Sequence, residues 1–325
     1  MDVAAMTLNA YLDEWLVRLR THVQPTSLQT YVDVTRAYLR PGLGDCRVGE
    51  LTVRQLNLHF VHLLQQGGRR GGPLARKTLM NVHAILRQAL GDAVRDGRLH
   101  DNVAARVTLP KLDPDRDPEP QELHTWDAAQ AARFLELAAN DPLQPIWRLA
   151  LATGMRRGEL LGLRFEDLDL DTPQVRVRTS LAFVDGCFQL KTTKSGRGRT
   201  LALDADTAAT IATQPPPTRD DWPLVFTTPE GLPWRPEVIT NRWRRQWPGL
   251  DLPKLTLHQL RHCHACLLLD QGVPMKVVSE RLGHSTIAMT MNVSAHVLPA
   301  QDRDAAAAIQ RALHGTAGTS RSQRP

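Results

Sequence analysis

Ala152-Thr-Gly-Met-Arg-Arg-Gly-Glu-Leu-Leu-Gly-Leu-Arg164 places two arginines just past a turn, where a helix begins. The apolar run from Ile146 to Leu151 leads into the Thr153-Gly154 turn, and apolar residues resume after Glu159. A guanidinium stays charged at any pH the chain meets, so Arg156 and Arg157 at the edge of an apolar helix call for an anionic partner. Working outward, three other stretches set polar groups in similar places. His258 and Arg261 lie three apart, on one helical face. His284 follows Leu282-Gly283, and Lys194 opens the loop Lys194-Ser-Gly-Arg-Gly-Arg199. Arginine's planar fork grips phosphate oxygens in pairs. Lysine and histidine exchange protons. Without a Walker-type loop or paired carboxylates at metal-ligand spacing, this set suits clamping a phosphodiester and moving protons around it. No metal and no cofactor is expected.

The rest of the chain divides in two. Up to about residue 107 it reads as four helices with short connections. Thr7 caps the first, whose face carries Leu8, Tyr11, Leu12, Trp15, Leu16 and Leu19. A second follows Pro25 and is expected to stop at Pro41-Gly42. Thr52 and Gln55 form a capping box for the third, which Gly67-Gly68 ends. The fourth runs from about Leu74 to Asp96. Prolines 110, 114, 118 and 120 alternate with charges over 108–122, which reads as a linker. Beyond it, 123–313 is expected to be mainly helical, with a helix start at Thr125-Trp126 and one patch of strand. Val175 and Val177 alternate with Arg176 and Arg178 as one strand. Phe188 to Thr192 and Thr200 to Leu203 suggest a hairpin with Lys194 at its tip. Helices are expected after Pro253, including an amphipathic one from Ala305 to Leu313. The tail, 314–325, is expected to be disordered.

Three boxes resemble those of the tyrosine recombinases, the phage integrase family. They are the stretch quoted above, Leu257-His-Gln-Leu-Arg-His262, and Leu282-Gly-His-Ser-Thr-Ile-Ala-Met-Thr-Met291. The loop from Lys191 to Thr200 resembles the family's lysine-bearing β-turn, and the helices around Lys77-Thr78 its core-binding domain. The resemblance implies a mainly α fold: an all-α, SAM-like core-binding domain at 6–107 and an α+β catalytic domain with a small antiparallel sheet at 123–313. It implies double-stranded DNA as partner and a homo-oligomer, a tetramer, assembled on it. Arg156 and Arg261 would clamp the scissile phosphate. Lys194, with Lys191 as the alternative, would protonate the leaving 5′ oxygen. His258 would accept a proton or bond the phosphate, and His284 would bond a non-bridging oxygen. Glu159 would hold the arginine helix in place. Arg69, Arg70, Lys77, Arg157, Arg197 and Arg199 are candidates for contacts to the DNA backbone. No arm-binding domain is expected ahead of the core-binding helices.

One position departs from the family. In Met291-Asn-Val-Ser-Ala-His296, Ser294 occupies the slot of the nucleophilic tyrosine, and the chain's three tyrosines are Tyr11, Tyr31 and Tyr38. A serine hydroxyl falls short of a tyrosine oxygen's position and is a weaker acid. Strand cleavage by this chain alone is therefore expected to be impaired. The alternatives left open are a silent DNA-binding regulator and a partner subunit of an active recombinase.

The bulk numbers narrow the field less. Forty Lys and Arg against 34 Asp and Glu give +6, compatible with nucleic acid but not diagnostic of it. Four scattered cysteines make no disulfide framework, and no leader or membrane segment stands out, so a soluble, cytoplasmic protein is expected. His262, Cys263, His264 and Cys266 could be read as a metal set, against which stands the buried-helix run Leu267-Leu-Leu269.

Overall fold

The computed structural model describes residues 3–68, 71–110, 124–193, 198–246 and 251–283. The chain divides into two compact units, residues 1–121 and 122–325.

The first unit is all-α. Helix α1, Leu8–Leu19, starts where the Thr7 hydroxyl accepts from the Ala10 amide. Its apolar face buries Leu8, Tyr11, Leu12 and Trp15. Helix α2, Pro25–Val34, does not stop at the proline further on, as the sequence suggested. It runs through one π-type turn, Thr35–Leu39, into a short α3, Arg40–Leu43. The wide turn explains why: Pro41 has no N–H to give and its ring would strike a carbonyl in a regular α-helix, and a π-turn just before it opens the spacing. Helix α4, Val53–Gln66, carries the full Thr52–Gln55 capping box. Helix α5, Arg76–Arg95, is the longest and lays Leu79, Val82, Ile85, Leu86 and Leu90 into the core. All three tyrosines belong to this packing. Tyr11 is fully buried, its hydroxyl donating to the Ala89 carbonyl, and Tyr31 stacks on Trp15 at 5.7 Å between centroids. Tyr38 packs against the same core.

The second unit mixes helices with two small antiparallel sheets. Its first helix, α6, spans Ala128–Leu137 and is capped by Asp127 with Gln130, two residues later than the Thr125-Trp126 start expected. Helix α7, Gln144–Thr153, ends on a left-handed Gly154. Helix α8, Arg157–Leu161, follows at once. Strands β1 (Leu168–Asp169), β2 (Gln174–Val177), β3 (Thr179–Val184), β4 (Cys187–Thr192) and β5 (Arg199–Ala202) come next. The expected hairpin between the last two does not form. Strand β5 crosses over to pair with β2, Val175 opposite Leu201, while β4 pairs with β3, Phe183 opposite Phe188. Asp185-Gly186 decides this, because both residues hold positive φ (50° and 79°) and close the tight turn whose twist suits a two-residue hairpin. The segment containing Lys194 is thus a connection between two sheets. Helices α9 (Ala205–Ala212) and α10 (Pro236–Gln246), neither anticipated, lead to α11 (Gln259–Asp270) and α12 (Met275–Leu282). Trp126, Phe134, Trp147 and Trp243 meet edge to face or tilted, with centroids 4.8–6.3 Å apart, at the centre of the unit's core.

Candidate active site

Gly154 is the pivot of the site. It ends α7 with φ +64°, and a Cβ there would come within 2.6 Å of Leu282 and 2.8 Å of His264, so both its backbone and its bareness are required. The turn it makes sets Arg156 at the N-cap of α8. Glu159, one turn into α8 and 2% exposed, reaches back to it. The Arg156 amide donates to Glu159 Oε2 at 2.9 Å and the Arg156 guanidinium to Oε1 at 2.9 Å. Arg199, from the start of β5, supplies two more bonds, 3.2 Å to Oε1 and 2.7 Å to Oε2. Burial alone would raise the Glu159 carboxyl. The bonds and charges of Arg199, with those of Arg156, outweigh it and hold the group below the usual carboxylate range.

Arg261 projects from the first turn of α11 and is 3% exposed. It donates to the Gly154 carbonyl and the Leu282 carbonyl, both at 2.6 Å. Burial, then the neighbouring Arg156 charge, pulls its pKa down to about 9, which leaves it cationic at neutral pH. Arg156 donates at a longer 3.4 Å to the Gly283 carbonyl, and Arg199 Nε donates at 2.8 Å to the Arg281 carbonyl. Three consecutive carbonyls at the C-terminus of α12 are therefore each met by an arginine from a different element, at the end of the helix where positive charge is favoured. Arg281 itself reaches the Ala152 and Ala202 carbonyls (3.2 and 2.9 Å) and His264 Nε2 (3.2 Å). His264 Nδ1 lies 2.9 Å from the Leu151 carbonyl, which assigns the proton to Nδ1 and leaves Nε2 to accept from Arg281.

His258 stands just before α11, its ring edge-on to His262 at 5.2 Å. Partial desolvation, then the charges of Arg261 and Arg156, hold it below the usual imidazole range. Burial pushes His262 and His264 further, each to about 4. The sign of the consequence follows directly. In the unfolded chain these imidazoles return to about 6.5 and take up protons that the folded unit refuses. Stability of the second unit should be constant above that pH and fall as pH drops from about 6.5 toward 4. Urea midpoints at pH 7.5 and 5 measure it, and His262→Gln should reduce the difference; an unchanged difference would remove His262 from the account.

Of the residues singled out in the sequence, Arg156, His258 and Arg261 come together here, with Glu159 beneath them. Lys194, His284, Ser294, Arg69, Arg70 and Arg197 lie outside the described residues, as do the Ala305–Leu313 helix and the tail. Lys191 sits in β4 as expected, its Nζ buried without a hydrogen-bond partner among the described residues. Lys77 is exposed in the first turn of α5. Arg157 donates to the Pro236 carbonyl and Thr240 Oγ1, tying α8 to α10. Arg199, a candidate for contact with the DNA backbone, has Nε, Nη1 and Nη2 all engaged within the protein. The metal reading finds no support in geometry. Cys263 Sγ accepts from the Trp126 amide, both His264 nitrogens are taken, and no three His, Cys, Asp or Glu among the described residues converge on a common point. The sequence reading also passed over Arg244 and Arg245, exposed at the end of α10, although Pro236 and Glu237 at its start were legible signals.

The profile of the Phage integrase family matches residues 126–300, and that of the phage integrase N-terminal SAM-like domain matches residues 7–62. The chain belongs to the phage integrase family. Among the relatives of this chain is the tyrosine recombinase XerC of Pseudomonas aeruginosa, 31% identical over 87% of this chain and 89% of the relative. The fold is that of the Tn1549 transposon integrase in complex with a circular intermediate DNA, at TM-score 0.74 and 22% identity over 89% of this chain and 95% of that one. It is likewise that of the lambda integrase tetramer bound to a Holliday junction, at TM-score 0.64 and 17% identity over 89% and 77%. The N-terminal unit is thus a SAM-like core-binding domain, and the second has the tyrosine-recombinase catalytic fold.

Proposed function

We propose that this integrase binds duplex DNA and holds one phosphodiester between Arg156 and Arg261, but is impaired in strand cleavage because Ser294 stands in the tyrosine's slot. The observation that carries the reading is the convergence of the two arginines, 105 positions apart, on the adjacent carbonyls of Leu282 and Gly283. Two forks held side by side, one of them almost wholly buried, present a preorganised charge that need not reorganise when a phosphate arrives. His258, adjacent and neutral at physiological pH, is suited to accept a proton or to hydrogen-bond the phosphate. Lys194 and His284 complete the set as proton donor and oxygen ligand. A tetramer on double-stranded DNA is the assembly in which such a site would work. A silent regulator, or a subunit working beside a tyrosine-bearing partner, would use the same clamp without the chemistry.

Binding to a nonspecific duplex across a salt series tests the clamp. Affinity should fall steeply with salt, since phosphate neutralisation releases counterions. Arg156→Ala should weaken binding by about tenfold and flatten the salt slope by about one. Arg261→Ala should do the same, beside a loss of stability that its burial makes unavoidable. Duplex affinity unmoved by both changes would rule out the clamp.

A further inference from the structure

We propose that Arg199 is a positioning residue of the site, which locks the arginine helix α8, the start of β5 and the end of α12 into one frame by holding Glu159 and the Arg281 carbonyl at once. The inference rests on the phosphate-clamp reading of Arg156 and Arg261. Three observations carry it. Both Glu159 oxygens are shared between Arg156 and Arg199, so the carboxylate cannot turn without disturbing both. The third donor, Nε, fixes Arg281, whose own guanidinium holds Ala152 and Ala202 and whose chain neighbours Leu282 and Gly283 accept from Arg261 and Arg156. The Arg199 side chain is 11% exposed and passes 3.1 Å from where a Cβ on Gly283 would stand, so it has little freedom of its own. A lysine, with one compact ammonium, cannot span both partners.

The test uses the full chain with Arg199→Met, Arg199→Lys, Glu159→Gln and the Arg199→Met/Glu159→Gln double variant, which leaves no uncompensated buried carboxylate. Hydrogen exchange of the free protein should rise at once in peptides covering 155–160 and 276–283 in Arg199→Met, and part of that rise should be reversed in Arg199→Lys. Duplex affinity should fall roughly tenfold with the salt slope unchanged, because no phosphate contact is lost. The double variant should lose less than the sum of the two single losses, since Arg199 acts in part through that carboxylate. Unchanged exchange in either peptide overturns the proposal, as does a slope reduced by about one, which would make Arg199 a direct phosphate contact, or simple additivity in the double variant. Failure of the unaltered chain to bind duplex would instead sink the clamp reading, while the exchange data would still decide the role of Arg199.

Discussion

Ser294→Tyr should turn a chain that leaves supercoiled plasmid intact into one that relaxes it and becomes covalently attached to it. The argument is geometric first. In-line attack on phosphorus requires the oxygen within about 3–3.5 Å, and a serine hydroxyl stops short of the tyrosine oxygen by roughly the width of a phenyl ring. It is also chemical. A phenol with a pKa near 10 is far more readily deprotonated than an alkyl hydroxyl. On the proposed reading, with tyrosine in place its oxygen passes its proton to His258 and bonds to phosphorus, the bond to the 5′ oxygen breaks, and Lys194 supplies the proton that oxygen takes. The resident tyrosines belong to the packing of the first unit: Tyr11 is buried, donates to Ala89, and is pushed up to about 12, Tyr31 donates to Gln88, and Tyr38 packs against the same core. Relaxation and adduct formation by the tyrosine variant only would mark Ser294 as a single-residue block in an otherwise intact site. An adduct through Ser294 in the unaltered chain would defeat the distance argument. Duplex binding by both with activity in neither, on the native recombination site as well, would favour the silent regulator.

Glu159→Ala should lower the stability of the second unit by about 3 kcal/mol, against about 1 for Glu159→Gln. The carboxylate is 2% exposed and its two oxygens are the acceptors for two guanidiniums and one backbone amide. Removing it leaves those donors without a partner in a place water reaches poorly. The loss is set mainly by Arg199, because Arg156, a third exposed, can swing toward solvent and Arg199 cannot. Urea unfolding followed by tryptophan fluorescence measures it cleanly: of the chain's seven tryptophans, only Trp15 belongs to the first unit. A loss below about 1 kcal/mol for the alanine variant would mean the arginines find other acceptors and that Glu159 does not anchor them.

Local features of the fold could be read from the sequence, because they are encoded within a few residues. Thr7, the Thr52–Gln55 box and the Thr153-Gly154 turn each act over one helical turn, and each stands where the sequence put it. Strand pairing could not be read the same way. Cys187–Thr192 and Arg199–Ala202 look like the arms of one hairpin, yet the partner of the second lies 25 residues upstream, and only Asp185-Gly186 hints at the correct closure. Pro41 misled for a related reason: its effect on the helix is relieved by a π-turn that the sequence does not announce. In the site, the residue types and their order pointed to Arg156, His258 and Arg261, whereas the partnership of Glu159 with Arg199 spans 40 positions and has no local mark. Arg199 looked like one more loop cation until its three donors were placed.

The arginines' anchorage at the end of α12 also sets an order in time. Arg156 precedes the Gly283 carbonyl by 127 positions, and Arg261 precedes the Leu282 carbonyl by 21. During synthesis from the N-terminus, the stretch bearing Arg156 emerges long before the backbone that completes its surroundings. Until residue 283 has left the ribosome the two cations lack a common floor, and a chain halted earlier carries the charges without the grip. The core-binding domain, whose helices close on themselves within the first hundred or so residues, is under no such constraint. A nascent chain can therefore fold its SAM-like domain before its second unit has the backbone on which Arg156 and Arg261 rest.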